Sequence, residues 1–306
     1  LFEKLLADAQ VNKEAYANMA GDILKARSDA KLNQSQNFSR LMSYAMYGPQ
    51  SPATNLLTEA ELTNMNPQEL VDRIHNQNSY KHRILYYGPS SSKDLLATIN
   101  QYHQVPAALK DIPAGNEYSY LETPVTKVLV APYDAKQIYM AQISNLDKKY
   151  DPAIEPIRAL YDEYFGGGMN SIVFQEMRET RGLAYSAWAS IMPPSYLKYP
   201  YVLRTQIATQ NDKMIDAVTT FNDIINNMPE SEAAFKLAKD GLTNRLRTER
   251  IIKGDIIWSY INAQDLGQNV DPRIKLYNDI QNMSLKDIVD FQKQWVKGRT
   301  YVYCIL

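Results

Sequence analysis

The chain has 306 residues, 45% of them hydrophobic, which is enough for one large core or two of ordinary size. Its 33 basic and 34 acidic residues leave a net charge of −1, so charge gives no basis for binding nucleic acid or an anionic membrane. No apolar run reaches the roughly 18 residues of a membrane span, and we expect none. The single cysteine, Cys304, excludes a disulfide within the chain and lies in an apolar run, where a buried position is expected.

The first hundred residues are predicted to be mostly helical. Apolar residues recur at helical spacing from residue 1 to residue 24 with no capping residue ahead of them, so we expect the chain to begin inside a structure. Asn66 followed by Pro67 predicts the cap and first position of a helix that reaches about residue 77. The other elements predicted here are a helix at 40–47, a strand at 82–87 and a helix at 90–102.

Strands appear after a linker rich in proline and glycine at residues 105–121. Strands are predicted at 125–132, 137–144, 185–191, 201–209 and 300–306, and helices at 153–165, 214–227, 232–251, 256–266, 273–281 and 285–296. Strands on one side and helices on the other make an α+β layer.

Two segments of the chain match each other. The sequence MNPQELVD at 65–72 is repeated as MSLKDIVD at 283–290, 218 residues later, and an arginine-led predicted strand follows each copy. We therefore predict that residues 1–104 are the helical C-terminal part of one repeat that lacks its leading strands, and that residues 122–306 form most or all of a second. Chance similarity between two amphipathic helices is the alternative.

The most informative segment is YFGGGMNSIVFQEMRETRGLAYS at residues 164–186. It predicts the end of one helix, a three-glycine turn, a second amphipathic helix capped by Gly182, and a strand from about Ala184. Neither G-x-G-x-x-G nor G-K-[ST] follows the glycines, so a tight turn between helices is favoured over a phosphate loop.

No known catalytic motif accompanies this segment. The three histidines, His75, His82 and His103, are 7 and 21 residues apart, whereas two ligands on one helical face need a spacing of three or four. The sequence also lacks H-x-x-E-H and G-x-S-x-G, and no histidine is near Cys304 in sequence. We therefore expect this chain to bind no metal or other cofactor.

The order of the elements predicted in residues 164–186 closely resembles the second-domain signature of the pitrilysin and insulin-degrading type of zinc metallopeptidases. This family includes the mitochondrial processing and presequence peptidases. The resemblance implies an α+β fold of tandem homologous repeats, each an antiparallel-rich mixed sheet with helices packed on one face. It further implies that this chain is the C-terminal, zinc-free half, and that zinc is bound by a partner half carrying H-x-x-E-H.

The same resemblance assigns roles to two residues. Arg178 and Tyr185 occupy the positions of an arginine and a tyrosine that face the zinc in family members, and Arg181 is the competing candidate for the arginine. The expected function is to bind extended peptide and to stabilise the scissile carbonyl, in partnership with the N-terminal zinc-binding half. The alternative is a non-catalytic scaffold or core subunit of the same fold, with Arg178 as an ordinary solvated helix residue.

Overall fold

The computed structural model describes residues 2–306, which divide into two compact units. The first unit comprises residues 2–32 and 55–117, and the second comprises residues 33–54 and 118–306. These boundaries differ from the predicted division at 104 and 122, because residues 33–54 belong with the sheet of the second unit. That the two units are copies of one repeat stays a prediction.

Helices occupy much of both units. In chain order they are α1 (Phe2–Ala7), α2 (Lys13–Lys31), α3 (Gln34–Tyr47), α4 (Glu59–Asn64), α5 (Pro67–Asn76), α6 (Ser92–Tyr102), α7 (Glu155–Phe165), α8 (Ile172–Phe174), α9 (Met214–Asn226), α10 (Glu232–Thr248), α11 (Asp255–Asp265), α12 (Pro272–Ile280) and α13 (Leu285–Trp295). The strands are β1 (Lys127–Val130), β2 (Gln137–Lys149), β3 (Ser186–Met192), β4 (Pro200–Gln210) and β5 (Val302–Ile305). No described helix is both long enough and apolar enough to cross a bilayer.

The first unit has a small core. Tyr16 of α2 is buried with Leu62 of α4, and its hydroxyl donates to the Leu62 carbonyl oxygen at 2.5 Å. The start of α5 is as predicted: the Asn66 side chain accepts a hydrogen bond from the backbone of Gln68, and Pro67 takes the first helical position. Local capping chemistry was therefore sufficient to locate this helix.

The strand predicted at 82–87 is wrong. Those residues are irregular and exposed, and the pairing next to them is a single bridge between Tyr80 and Lys110. A strand requires a neighbour for its backbone donors and acceptors, and no described residue supplies one along 82–87. Side-chain propensity alone therefore misassigned the segment.

The second unit is built on one five-stranded sheet in the order β1-β5-β2-β4-β3. β1 and β5 are parallel, and the other neighbours are antiparallel. Every helix and strand predicted after residue 122 is present, although β2 ends at Lys149 rather than at 144. Short apolar runs for the strands and helical periodicity for the helices gave a correct α+β prediction here.

Most helices of this unit cover one face of the sheet. The main core joins side chains of α7, α9, α10 and α13 to strand residues such as Met140 and Ile207. Gln142 points to the same face, and its amide donates to Asn222 of α9 at 2.5 Å, so this buried polar group is satisfied. The fold thus places α7, α8 and β3 around one rigid core.

Helix α3 covers part of the opposite face, which the sequence did not predict. Its side chains Phe38, Met42 and Ala45 are buried against Ala141 and Cys304 of the sheet. Cys304 is fully buried, as expected. Because α3 precedes the linker in sequence, periodicity could not reveal that it packs on β2 and β5, and Cys304 of β5 follows Leu41 of α3 by 263 residues.

Candidate active site

The segment carrying Arg178 departs from α-helical geometry. α8 begins at its cap Ser171 and continues from Gln175 to Thr180 as a π-helix. The buried side chains of Val173 and Met177 anchor it to the core. π-helical turns have less favourable hydrogen-bond geometry than α-helical turns, and they are frequent at functional sites. Arg178, one residue after the buried Met177, consequently lies on the outer side of a firmly held segment.

A tight turn carries the chain from this segment into β3. Gly182 has a φ of +57°, a conformation that glycine adopts without steric cost. The Met177 carbonyl oxygen then accepts hydrogen bonds from the backbone N–H groups of Leu183 at 2.9 Å and Ala184 at 3.2 Å. The Tyr185 backbone N–H donates to Ala208 of β4 at 2.8 Å. Backbone hydrogen bonds therefore hold both ends of the turn that separates Arg178 from Tyr185.

The turn brings Arg178 and Tyr185 together. The Arg178 guanidinium carbon lies 5.5 Å from the centre of the Tyr185 ring and 5.1 Å from the centre of the Phe174 ring, so two aromatic rings flank the cation. Cation–π contact of this kind is attractive at separations up to about 6 Å. The Arg178 side chain is 45% exposed and Tyr185 is 68% exposed. Both groups are thus held together at the surface.

Hydrogen-bonding capacity remains on both side chains. The Arg178 Nε lies 3.6 Å from a Glu179 carboxylate oxygen, and within the described chain neither the terminal guanidinium nitrogens nor the Tyr185 hydroxyl makes a hydrogen bond. Arg181 makes a similar ion pair, with its Nε 3.4 Å from a Glu176 carboxylate oxygen, but within the described chain it makes no cation–π contact with the Tyr185 ring. Of the two candidate arginines, Arg178 is the one that contacts Tyr185.

The three-glycine turn fixes α7 against β3. A Cβ atom at Gly166 would lie 2.4 Å from both the backbone nitrogen and the carbonyl oxygen of Ala189. At Gly167 it would lie 2.8 Å from the Asp162 carbonyl oxygen, whereas at Gly168 it would meet no atom within 4 Å. The first two glycines therefore permit close backbone approach, which agrees with the predicted turn rather than a phosphate loop.

A buried ionic network closes the outer edge of β3. Arg158 of α7 donates to Asp162 at 2.8 Å and to the Ile191 carbonyl oxygen at 3.0 Å. Asp162 also accepts from the Ile191 N–H at 2.9 Å and the Ser190 hydroxyl at 2.9 Å. Burial raises the pKa of Asp162 to about 6, opposed by the Arg158 charge. This edge is closed at residues 189–191, where the Ala189 N–H also donates to Gly166.

Sequence reasoning missed two parts of this site. Phe174 is four residues before Arg178, a spacing that places side chains together on a helix, and this signal was available. The π-helical geometry had no sequence signal. Among residues 2–306 no group of three or more histidine, cysteine, aspartate or glutamate side chains is arranged to hold a metal ion.

Comparison with solved structures places the fold among peptidases. The chain is similar to the peptidase M16 inactive domain from Pseudomonas fluorescens, with 16% identity, a TM-score of 0.70, and coverage of 99% of this chain and 72% of that one. It is similar to the periplasmic protease PqqL from Escherichia coli, with 13% identity, a TM-score of 0.69, and coverage of 97% and 33%. The ferredoxin protease FusC, solved as a mutant in complex with Arabidopsis ferredoxin, gives 12% identity, a TM-score of 0.67, and coverage of 99% and 33%.

Sequence comparison identifies the family. No curated protein sequence matches the chain. The family model described as the peptidase M16 inactive domain matches residues 84–242, just over half of the chain and including the entire segment from Arg178 to Tyr185. The chain therefore belongs to the peptidase M16 inactive-domain family, the zinc-free part of such peptidases, and carries no catalytic zinc.

Proposed function

We propose that this chain binds extended peptide and supplies Arg178 and Tyr185 to the scissile carbonyl, opposite a zinc ion held by a catalytic half. The observation that carries the proposal is the contact between the Arg178 guanidinium and the Tyr185 ring, with both side chains exposed. A purely structural arginine would instead engage its donors with neighbouring acceptors, as Arg158 does.

Tyr185 is the hydrogen-bond donor to the reacting carbonyl in this proposal. When a nucleophile attacks a peptide carbonyl, negative charge develops on the oxygen, and a preoriented donor stabilises that charge by about 3 kcal/mol. The Tyr185 backbone is held by its hydrogen bond to Ala208, and the Arg178 guanidinium packs beside the exposed ring. That contact favours the ring position from which the hydroxyl would donate.

Arg178 orients Tyr185 and binds substrate. Flanked by the Phe174 and Tyr185 rings, its planar guanidinium is restricted in rotation, and its terminal nitrogens can donate to substrate backbone carbonyls. Its positive charge also favours the developing oxyanion. Loss of Arg178 should consequently affect both peptide binding and turnover.

The β3 edge is the backbone nearest to Tyr185 that an extended peptide could pair with. Backbone groups of Ala189 and Ile191 on this edge are engaged by α7 and the glycine turn. Ala187 shares their orientation on the strand, and its backbone groups have no hydrogen-bond partner on the outer side among the described residues, but the residue is only 6% exposed. Main-chain bonds at Ala187 would therefore require the segment that covers it to move aside, and would place a peptide directly beside Tyr185.

The partner in this proposal is a catalytic half carrying H-x-x-E-H, which holds zinc and its activated water. Zinc would polarise the carbonyl from the opposite side. The neighbour FusC, described as a ferredoxin protease in complex with ferredoxin, supports a protein or peptide substrate. It has 12% identity to this chain, so substrate identity does not transfer.

Reconstitution tests the proposal. The catalytic half should cleave a quenched fluorescent peptide much faster in the presence of this chain, and Arg178→Ala should lower kcat/KM by about tenfold or more while the two halves still associate. Analytical ultracentrifugation measures association independently of turnover. If Arg178→Ala supports full activity, the scaffold alternative replaces the catalytic one.

A further inference from the structure

Two of the three histidines meet within the first unit. His82 lies in the irregular segment after Tyr80, and His103 caps the C-terminal end of α6. Their Nε2 atoms are 2.7 Å apart, and the rings are nearly perpendicular, at 83°. The spacing of 21 residues excluded a site on one helix, but folding brings the two side chains together.

The other nitrogen of each ring has an acceptor. The His103 Nδ1 donates to a Glu3 carboxylate oxygen at 2.7 Å, and the His82 Nδ1 donates to the Tyr80 carbonyl oxygen at 2.6 Å. The hydrogen bond from His103 lowers the pKa of Glu3, whose second oxygen accepts from Asn78 at 3.1 Å. The contact between the two Nε2 atoms is itself a hydrogen bond, whose proton a metal ion would displace; with both Nδ1 atoms acting as donors, the two Nε2 lone pairs would then be directed at one position.

This is the arrangement that metal-binding histidines require. A ligating imidazole usually donates its second N–H to a carboxylate or a backbone carbonyl, which fixes the ring and makes the free nitrogen more basic. His103 has the carboxylate and His82 has the carbonyl. The geometry points to a two-histidine site for a first-row divalent transition-metal ion such as Zn²⁺ or Ni²⁺, which imidazole ligands suit.

The site needs only a small adjustment to accept the ion. Two imidazole nitrogens at zinc-binding distance in a tetrahedral site are about 3.3 Å apart, so the 2.7 Å separation must widen by roughly 0.6 Å. His82 lies on an exposed segment outside any helix or strand, so no ladder of backbone hydrogen bonds opposes this adjustment, and solvent reaches the residue. Because no third ligand of the usual kinds is grouped with them among residues 2–306, water completes the coordination.

The proposed ion would bind within the first unit. Both histidines and Glu3 belong to the first unit, whereas Arg178 and Tyr185 belong to the second. The proposal revises the expectation, drawn from histidine spacing, that the chain binds no metal at all. It does not concern catalytic zinc, which the M16 inactive domain lacks.

Calorimetric titration of the full chain, prepared without a polyhistidine tag, tests the site with ZnCl₂ and NiCl₂. One ion should bind per chain, and His82→Gln and His103→Gln should each lower the affinity at least tenfold. Glu3→Gln should lower it by about tenfold, as removal of such supporting carboxylates does. His75→Gln is the matched control and should bind like the wild type. Melting temperatures of the metal-free variants separate lost binding from lost folding.

Nuclear magnetic resonance gives a second readout, because the chain has only three histidines. Zinc should shift the imidazole signals of His82 and His103 and leave those of His75 in place. Absence of binding at millimolar zinc would overturn the proposal. Binding that survives both His82→Gln and His103→Gln, or that shifts only His75, would overturn it equally.

Discussion

Arg178→Lys isolates the contribution of the flanked guanidinium, because lysine keeps the charge and loses the planar group. The guanidinium contacts two rings, those of Phe174 at 5.1 Å and Tyr185 at 5.5 Å. Each such contact is worth about 0.5–1 kcal/mol at an exposed site, and lysine keeps at best part of it, so the variant should lose at most roughly 1–2 kcal/mol of the contacts that hold the guanidinium against the two rings. If those contacts serve the transition state, kcat/KM falls by up to about 5–30-fold.

The assay compares peptide turnover by the assembled peptidase with the melting temperature of the chain. Arg178 is 45% exposed and its ring contacts exist only in the folded chain, so replacement by lysine should lower the free energy of unfolding by at most the roughly 1–2 kcal/mol of those contacts. Arg181→Lys is the matched control: Arg181 is 47% exposed, lies on the same segment and does not contact Tyr185. Equal turnover of the two variants would refute the assigned role of Arg178, as would a large fall in melting temperature for Arg178→Lys alone.

Three further predictions concern the support of the site, each measured by urea unfolding. Gly166→Ala should cost about 1–3 kcal/mol because its Cβ meets Ala189 backbone at 2.4 Å, whereas Gly168→Ala should be nearly neutral; equal costs would contradict the close-approach account. Asp162→Ala should cost about 3–5 kcal/mol because it removes a buried partner of Arg158, and a cost below about 1 kcal/mol would show the network to be dispensable. Phe38→Ala should cost about 3–5 kcal/mol, against less than about 0.5 for a typical exposed substitution, and a small effect would argue against α3 packing on the sheet.

Local signals predicted much of the fold. The Asn66 cap, the Gly182 turn and the strands after residue 122 each depend on a few adjacent residues, and all three are present in the structure. Prediction from local sequence failed where an element depends on residues that are distant in sequence. Residues 82–87 have strand composition without a neighbouring strand, and α3 joins a sheet that follows it in sequence.

In the candidate site, too, features set by nearby residues could be predicted and contacts between distant residues could not. The resemblance singled out Arg178 and Tyr185 as a pair, and the turn at Gly182 that joins their two segments lies where the sequence predicts it. The flanking ring of Phe174 could have been predicted from its position four residues earlier. The contact between His82 and His103 could not, because it depends on how an irregular segment meets the end of α6.

Tyr185→Phe tests the central claim most directly, since it removes one exposed hydroxyl and leaves the ring and its contact with Arg178 in place. In the assembled peptidase kcat should fall by about 100-fold or more, with the melting temperature and the zinc content of the catalytic half unchanged. Tyr260→Phe, at another exposed tyrosine of the same unit, should retain full turnover. Unchanged kcat/KM in a well-folded Tyr185→Phe chain would remove this residue from the mechanism and favour a scaffold role.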